Sequence, residues 1–432
     1  MALCSNTKQP VDIPGVLEKR KIPPVFERRL LDYEDALNRC LENVPEQKTP
    51  VETVALKDSL GRILRQDVES DIAIPPFSKS TMDGYAVKSE DVQSASRDNP
   101  VRLKVIDEIP AGSMSDKIVK TGQAARIMTG APVPEGADAI ITIENTLSED
   151  DDTVRIYDAV GENRYIIHKG QDILPGQRIA ESGVTVTALL MGVLASCGIA
   201  HVNVAGRPKI GIISTGSELV TPGDAAGPGR IYDINGYSLY GLTKESGAET
   251  TFLGVVQDKS DDLLKTLNNA RHLDILLLSG GVSVGDYDIV HETLQRAGVQ
   301  EIFWRVKVKP GKPLFFGKMD HTLIFGLPGN PVSSVNNFYL FVKPVIDKLS
   351  GKTRWGLKTG TATILNSFIL QPGRRKFLRG QIKTDNGREA VWIIPEQRSG
   401  VFSPMARADV LVEVPEDRKI VREGDTARIY YL

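Results

Sequence analysis

The segment LLLSGGVSVGDYD, residues 276–288, joins a run of leucines to Gly280, Gly281 and Gly285 and ends on two carboxylates, Asp286 and Asp288. Bare backbone of this kind offers N–H groups to an anion. Carboxylates beside it would repel that anion unless a divalent cation sat between them, and Mg²⁺ takes carboxylates together with phosphate oxygens and water. The chemistry indicated is therefore that of a phosphorylated ligand and its metal. Similar turns carry Glu218 in STGSEL (214–219) and Asp258 in QDKSDD (257–262), while LPGNPVSS (327–334) opens a helix. Positive charge comes from EIFWRVKVKPGK, residues 301–312. Read as one strand, it places Arg305, Lys307 and Lys309 on one face of an anion groove, with Pro310 and Gly311 turning Lys312 towards it. The competing reading is a solvated edge strand guarded by lysines. A second basic run, GRRKFLRG (373–380), is either a plain hairpin or another phosphate contact.

Each of the acidic or glycine turns follows a β-type run. From Lys209 onward, KIGIIS, ETTFLGVV, DILLLS, EIFWRVKVK and TLIFGL read as strands, with helical segments between most of them. PVSSVNNFYLFVKPVIDKLSG, residues 331–351, reads as one long helix. This alternation predicts a mostly parallel, doubly wound α/β sheet, in which ligands bind beyond the carboxyl ends of the strands. The flanks differ. Short β-like runs fill residues 51–205, and strands with charged turns return after Gly351. FERRLLDYEDALNRCLENV (26–44) has helical spacing. Residues 188–200 read as a buried helix capped by Thr187 and Gly198. The expected partition is a polar lead (1–24), a helix-containing linking domain (25–70 and 163–206), an inserted β-rich domain (71–162), an α/β domain (207–352) and a C-terminal β domain (353–432).

At 432 residues the chain exceeds one ordinary core. A formal net charge of −2 argues against a nucleic-acid binder, so an anionic ligand must be met by local clusters. Cys4, Cys40 and Cys197 form no C-x-x-C pair, which suits a reducing, cytoplasmic setting. No apolar stretch is long enough for a bilayer. The five histidines lack metal-ligand spacing, and neither G-x-x-x-x-G-K-[ST], G-x-G-x-x-G nor G-x-S-x-G stands where nucleotide or nucleophile chemistry would need it.

The ordered set of turns resembles the molybdopterin molybdenumtransferase family (MoeA in bacteria, the gephyrin E domain in animals). PPFSKSTMDGYAV (75–87), RIMTGAPVPEGADAI (126–140), STGSEL (214–219), IYDINGYSL (231–239), SGGVSVGDYD (279–288), VKPGKP (308–313) and GLPGNPVSS (326–334) carry the resemblance. It implies a molybdopterin-binding-like α/β domain with flanking β-rich domains, and a homodimer whose cleft lies between subunits. The implied reaction inserts molybdenum from molybdate into adenylylated molybdopterin and releases AMP with Mg²⁺. By motif, Asp83 and Thr129 enter the cleft from the partner subunit, and Glu218, Asp258 and Asp288 hold metal or orient water. The resemblance assigns ligand contacts to Ser214, Thr215, Gly216 and Asp233, and to Ser279, Gly280, Gly281 and Ser283. Lys309 and Lys312 meet anionic oxygens, Pro328 and Pro331 shape the pterin pocket, and Gly329, Asn330 and Ser399, a serine near the cleft, are further ligand contacts. Arg305 and Ile289 depart from the family pattern, where lysine and an aromatic are expected. A tungstate-handling or non-catalytic paralogue and a gephyrin-like scaffold are the alternatives within this resemblance.

Overall fold

The computed structural model describes residues 30–46, 49–150, 152–256, 260–281, 287–385 and 387–432, without the side chains of 287–289. Asp258 and Ser283 lie outside the described residues, as does the side chain of Asp288.

The first helix, α1 (Tyr33–Glu42), has acidic residues in its first turn and Arg39 in its last, as the helix dipole favours. It is shorter than the sequence pattern suggests. Residues 30–32 are extended, because Leu31 bridges to Val306 and trades backbone bonds with Arg305 and Lys307. Tertiary pairing there overrides helical spacing.

A six-stranded sheet follows, built from β1 (Gly84–Val87), β2 (Val101–Ile109), β3 (Gln123–Ile127), β4 (Ala139–Thr142), β5 (Thr146–Ser148) and β6 (Thr153–Ile156), in the order β4-β1-β3-β2-β6-β5. Short two-stranded pairs tie residues 51–80 to residues 166–205. The apolar helix α2 (Ala188–Ser196) is capped by Thr187, whose hydroxyl accepts from the Leu190 N–H at 3.2 Å. Gly198 at φ +74° ends it. The expectation that this helix is buried fails in the single chain: Leu194 is buried, but Leu189 is 85% exposed.

The α/β unit contains β7 (Lys209–Thr215), α3 (Ile234–Glu245), β8 (Glu249–Val256), α4 (Ser260–Asn269), β9 (Ile275–Ser279), α5 (Tyr287–Arg296) and β10 (Gln300–Trp304). Next come β11 (Val308–Lys309), β12 (Phe315–Met319), β13 (Thr322–Leu327), α6 (Pro331–Asn337) and α7 (Lys343–Leu349). Its sheet runs β8-β7-β9-β13-β12-β10, parallel across the first four strands and antiparallel at the last two. The central strands are buried along their length, as a sheet covered on both faces requires. The strand FFGKM was not anticipated. The long helix predicted after LPGN is interrupted, since a π turn at Phe338–Val342 separates α6 from α7.

The C-terminal strands β14 (Thr359–Ile364), β15 (Arg375–Asp385), β16 (Arg388–Ile393), β17 (Val410–Val414) and β18 (Thr426–Tyr431) run β15-β16-β14-β18-β17, and pairing of β15 with β17 closes them into a barrel. The short β11 adds to β15 in parallel. The single basic strand predicted for 301–309 is therefore two strands in different sheets. Arg305 sits at φ +83°, and its left-handed backbone breaks the two-residue alternation. Among the described residues no helix is long and apolar enough to cross a membrane.

Candidate functional site

Three parallel strands end level with one another. Ser214 of β7 pairs with Ser279 of β9, and Ser279 with Leu327 of β13. The turns beginning at Thr215, Gly280 and Pro328 thus leave the sheet along one edge. Gly280 has φ +94°, and a Cβ there would lie 2.3 Å from the Thr215 carbonyl oxygen, so the fold accepts only glycine. Its N–H donates to the Leu327 carbonyl at 3.1 Å, and the Thr215 hydroxyl donates to the Ser279 carbonyl at 3.4 Å. Gly281 follows against Thr215, and Gly329 faces Gly280. The glycines let three turns close on one another; a side chain would hold them apart.

Asp233 caps α3 beside this edge. One carboxylate oxygen accepts from the Gly236 N–H at 2.9 Å. The other, and the nearby Ser214 hydroxyl, are buried with no hydrogen-bond partner among the described residues. Both converge on Gly236. Buried polar atoms of this kind need a partner from water or ligand. Asn235 donates to the Gly329 carbonyl at 2.8 Å, which ties the LPGN turn to α3. Glu218 is exposed beyond β7, with both carboxylate oxygens folded back over Gly216.

A cleft of about 990 Å³ opens between the α/β unit and the barrel. Lys309 and Lys312 line it, as do Asn330 and Ser399, and the Ser399 carbonyl accepts from the Val332 N–H at 3.2 Å. Pro331 begins α6 between them. Arg374 and Lys376 join them from the run GRRKFLRG, because β11 registers Lys309 against Lys376. Paired residues of parallel strands project to the same side. Among the described residues none of these four cations pairs with a carboxylate, whereas Lys307 pairs with Glu416 at 2.7 Å and Arg375 with Glu413 at 3.1 Å. Lys376 is 2% exposed. Burial lowers its ammonium below the usual lysine value, and Lys309 and Arg374 push the same way.

Lys307 does not belong to this cleft. Its ammonium meets Glu416 and Asp32 on another face, so the expected Arg305–Lys307–Lys309 stripe is corrected to Lys309 alone, joined by residues from the barrel. The break at Arg305 separates that residue from the other two, and a bend at Lys307, just before β11, separates Lys307 from Lys309.

Asp83 and Thr129 meet each other at the exposed end of the β-rich sheet. Asp83 Oδ1 accepts from the Thr129 N–H at 2.6 Å and from its hydroxyl at 2.7 Å. These two bonds hold the Asp83 carboxyl below its ordinary value of 3.8. A carboxyl lowered in the folded state supports this clasp above 3.8 and loses it as pH falls through the lower folded value. Thr129→Val removes one donor, so the Asp83 carboxyl should titrate closer to 3.8 in a carbon-detected NMR titration. An unchanged midpoint would mean the hydroxyl bond is not made in solution.

The sequence matches the family profiles "MoeA N-terminal region (domain I and II)" over residues 31–198, "Probable molybdopterin binding domain" over 211–348 and "MoeA C-terminal region (domain IV)" over 361–432. It is 34% identical over 403 residues to a molybdopterin molybdenumtransferase of Haemophilus influenzae, covering 93% of this chain and 98% of that protein. The chain belongs to the molybdopterin molybdenumtransferase family. A second family member, from Bacillus subtilis, is 33% identical over 423 residues, covering 96% of this chain and 95% of that one. The solved structure of a molybdopterin biosynthesis MoeA protein from Pyrococcus horikoshii OT3 superposes with a TM-score of 0.78 at 30% identity, covering 94% of this chain and all of that one. Within this transferase fold, the sequence reading did not find Asn235 and left Arg374 and Lys376 undecided. IYDING carried the first as the second residue after the helix cap. GRRKFLRG carried the others, but its partner strand was not visible in the sequence.

Proposed function

We infer that this chain inserts molybdenum into adenylylated molybdopterin and releases AMP, completing molybdenum cofactor synthesis. The observation that carries this reading is the cleft with four lysine and arginine side chains unpaired by carboxylates among the described residues, next to the LPGN turn. A tetrahedral dianion such as molybdate needs such a setting, since few other groups would offset so much like charge. The pterin and its phosphates are assigned to the glycine edge, where Ser214, Thr215, Gly216, Asp233, Ser279, Gly280, Gly281 and Ser283 would bind them. Pro328, Gly329, Asn330 and Pro331 would wall the pterin. Lys309, Lys312 and Ser399 hold the oxyanion, with Arg374 and Lys376.

Mg²⁺ fits the chemistry of the donors. Glu218 offers both oxygens at the strand edge, Asp288 stands in the first turn of α5, and hard oxygen ligands, with Asp258 proposed as the third, suit this ion. Among the described residues no group of three metal-binding side chains gathers, and of these three only the Glu218 side chain is among them. When bound at Glu218, Asp258 and Asp288, the ion would neutralise phosphate charge. The protein's own part is positioning and charge stabilisation, which phosphoanhydride cleavage chiefly requires.

A second copy completes the proposed site, its Asp83–Thr129 clasp entering the cleft. The support is an apolar stripe on α3, which starts at Asp233 and leaves Ile234, Tyr237 and Tyr240 exposed, Tyr237 by 50%. Buried in a two-fold contact, such a stripe gains hydrophobic stabilisation. Tyr237→Glu should turn a dimer into a monomer in sedimentation at micromolar concentration and abolish turnover, while the monomer stays folded with a lower, concentration-independent melting temperature. A fully active monomer would refute the shared cleft. The reaction itself, which we place in the cytoplasm, is tested by AMP release from adenylylated molybdopterin with and without molybdate. Release independent of molybdate, with no molybdenum transferred, would favour a hydrolase.

A further inference from the structure

The turn that presents Lys309 and Lys312 cannot hold itself. Pro310 and Pro313 have no N–H, and Gly311 lies at φ +115°, so the turn has few donors with which to satisfy its own carbonyls. Yet every carbonyl from Pro310 to Leu314 receives a hydrogen bond. Lys312 accepts from the Val306 N–H at 3.0 Å and Leu314 from the Arg305 N–H at 2.9 Å. The other three are served by two consecutive side chains of α6. Asn336 donates to Pro310 at 2.8 Å, and Asn337 donates to Gly311 at 3.1 Å and Pro313 at 3.2 Å.

Two buried asparagines in a helix are costly. They are poor interior helix residues, and the carbonyl oxygens of both amides are buried without a partner among the described residues. The Asn337 amide lies flush under Gly311, where a Cβ would come within 2.2 Å of its oxygen. Immediately after the pair the helix widens into the π turn, a feature that concentrates at functional sites. The same short helix begins at the LPGN turn, and its Val332 N–H donates to the Ser399 carbonyl. One rigid element therefore reaches the pterin turn, the cationic turn and the barrel loop.

We propose that Asn336 and Asn337 are positioning residues, whose amide groups fix the Pro310–Pro313 turn and so set the reach of Lys309 and Lys312 into the cleft. The inference rests on the reading of that cleft as the oxyanion site. Asn337→Leu keeps most of the volume and removes the donors without adding a charge beside the cationic turn, so it separates donation from packing.

The test is calorimetric titration of the full-length protein with sodium molybdate, beside thermal unfolding and turnover kinetics. For Asn337→Leu the molybdate Kd and KM should rise three- to tenfold, with kcat at saturating molybdate within about twofold of wild type. Asn336→Ala, which loses one bond, should show a smaller rise and serves if Asn337→Leu does not fold. Lys309→Ala is the reference. If it weakens molybdate binding but folded Asn variants bind like wild type, with or without a lower melting temperature, the pair is structural and the proposal is overturned. If Lys309→Ala itself leaves molybdate affinity unchanged, the cleft reading fails and takes the proposal with it.

Discussion

Replacing Lys309 with alanine should weaken binding of molybdate or of adenylylated molybdopterin by about 1.5–3 kcal/mol, the scale of a hydrogen bond to a charged group. In Kd this is roughly a tenfold to hundredfold loss. Lys307→Ala should leave the affinity unchanged. The two lysines are separated by one residue, but Lys307 is held by Glu416 at 2.7 Å and Asp32 at 3.7 Å, whereas Lys309 faces Lys376 and Arg374. The Glu416 hydrogen bond raises the Lys307 ammonium above its ordinary value, so it is already committed to a carboxylate. The Lys309 effect should shrink at high salt, where screening has already weakened the wild-type contact. Affinity should also fall as pH rises, because the lowered Lys376 ammonium gives up its proton before an ordinary lysine does. Titrations at two salt concentrations decide the matter. Equal losses in both variants would restore a continuous basic stripe, and flat affinities in both would remove the cleft from the site.

Arg379→Met should cost about 2–4 kcal/mol of stability in urea unfolding. Arg379 is 1% exposed inside the barrel wall. Its guanidinium donates to the carbonyls of Val401 at 3.0 Å, Glu396 at 2.7 Å and Arg398 at 3.4 Å, and to the Gln397 side chain at 3.4 Å. Gln397 returns a bond to the Arg379 carbonyl at 3.0 Å. Methionine keeps most of the apolar stem but leaves those carbonyls without donors, at about 1–3 kcal/mol for each that stays dry. Two effects oppose this loss. Removing a desolvated charge recovers part of its burial cost, and a loop at a cleft admits water to some carbonyls. The hydrogen bonds should still win, because four partners are lost for one charge. The loop they hold carries Ser399, so molybdate affinity should fall together with stability. A variant as stable as wild type would mean that the strands alone hold residues 396–401.

The parallel sheet and its glycine turns were legible because they are local. A buried parallel strand is an apolar run, and the turn after it must be glycine where the backbone passes within contact of the next strand, as Gly280 does against Thr215. The Thr187 cap was legible for the same reason, since a hydroxyl reaches only the next turn of its own helix. The exposed apolar face of α2 was not. The composition of an apolar helix does not record which of its faces the rest of the chain covers.

The sequence by itself determined the alternation of strands and helices from β7 to α5, the three turns that meet at the sheet edge, and the family to which those turns belong. Only the tertiary structure decided which cations share a cleft. Alternation along a strand predicts the face of a side chain only while the backbone stays extended, and Arg305 at φ +83° ends that run. Beyond the break, β11 takes its partner from the barrel, and the register Lys309 to Lys376 joins two basic runs far apart in the chain. The like charges at that junction repel, so the pairing is set by the strand hydrogen bonds and the barrel packing, neither of which either basic run encodes alone.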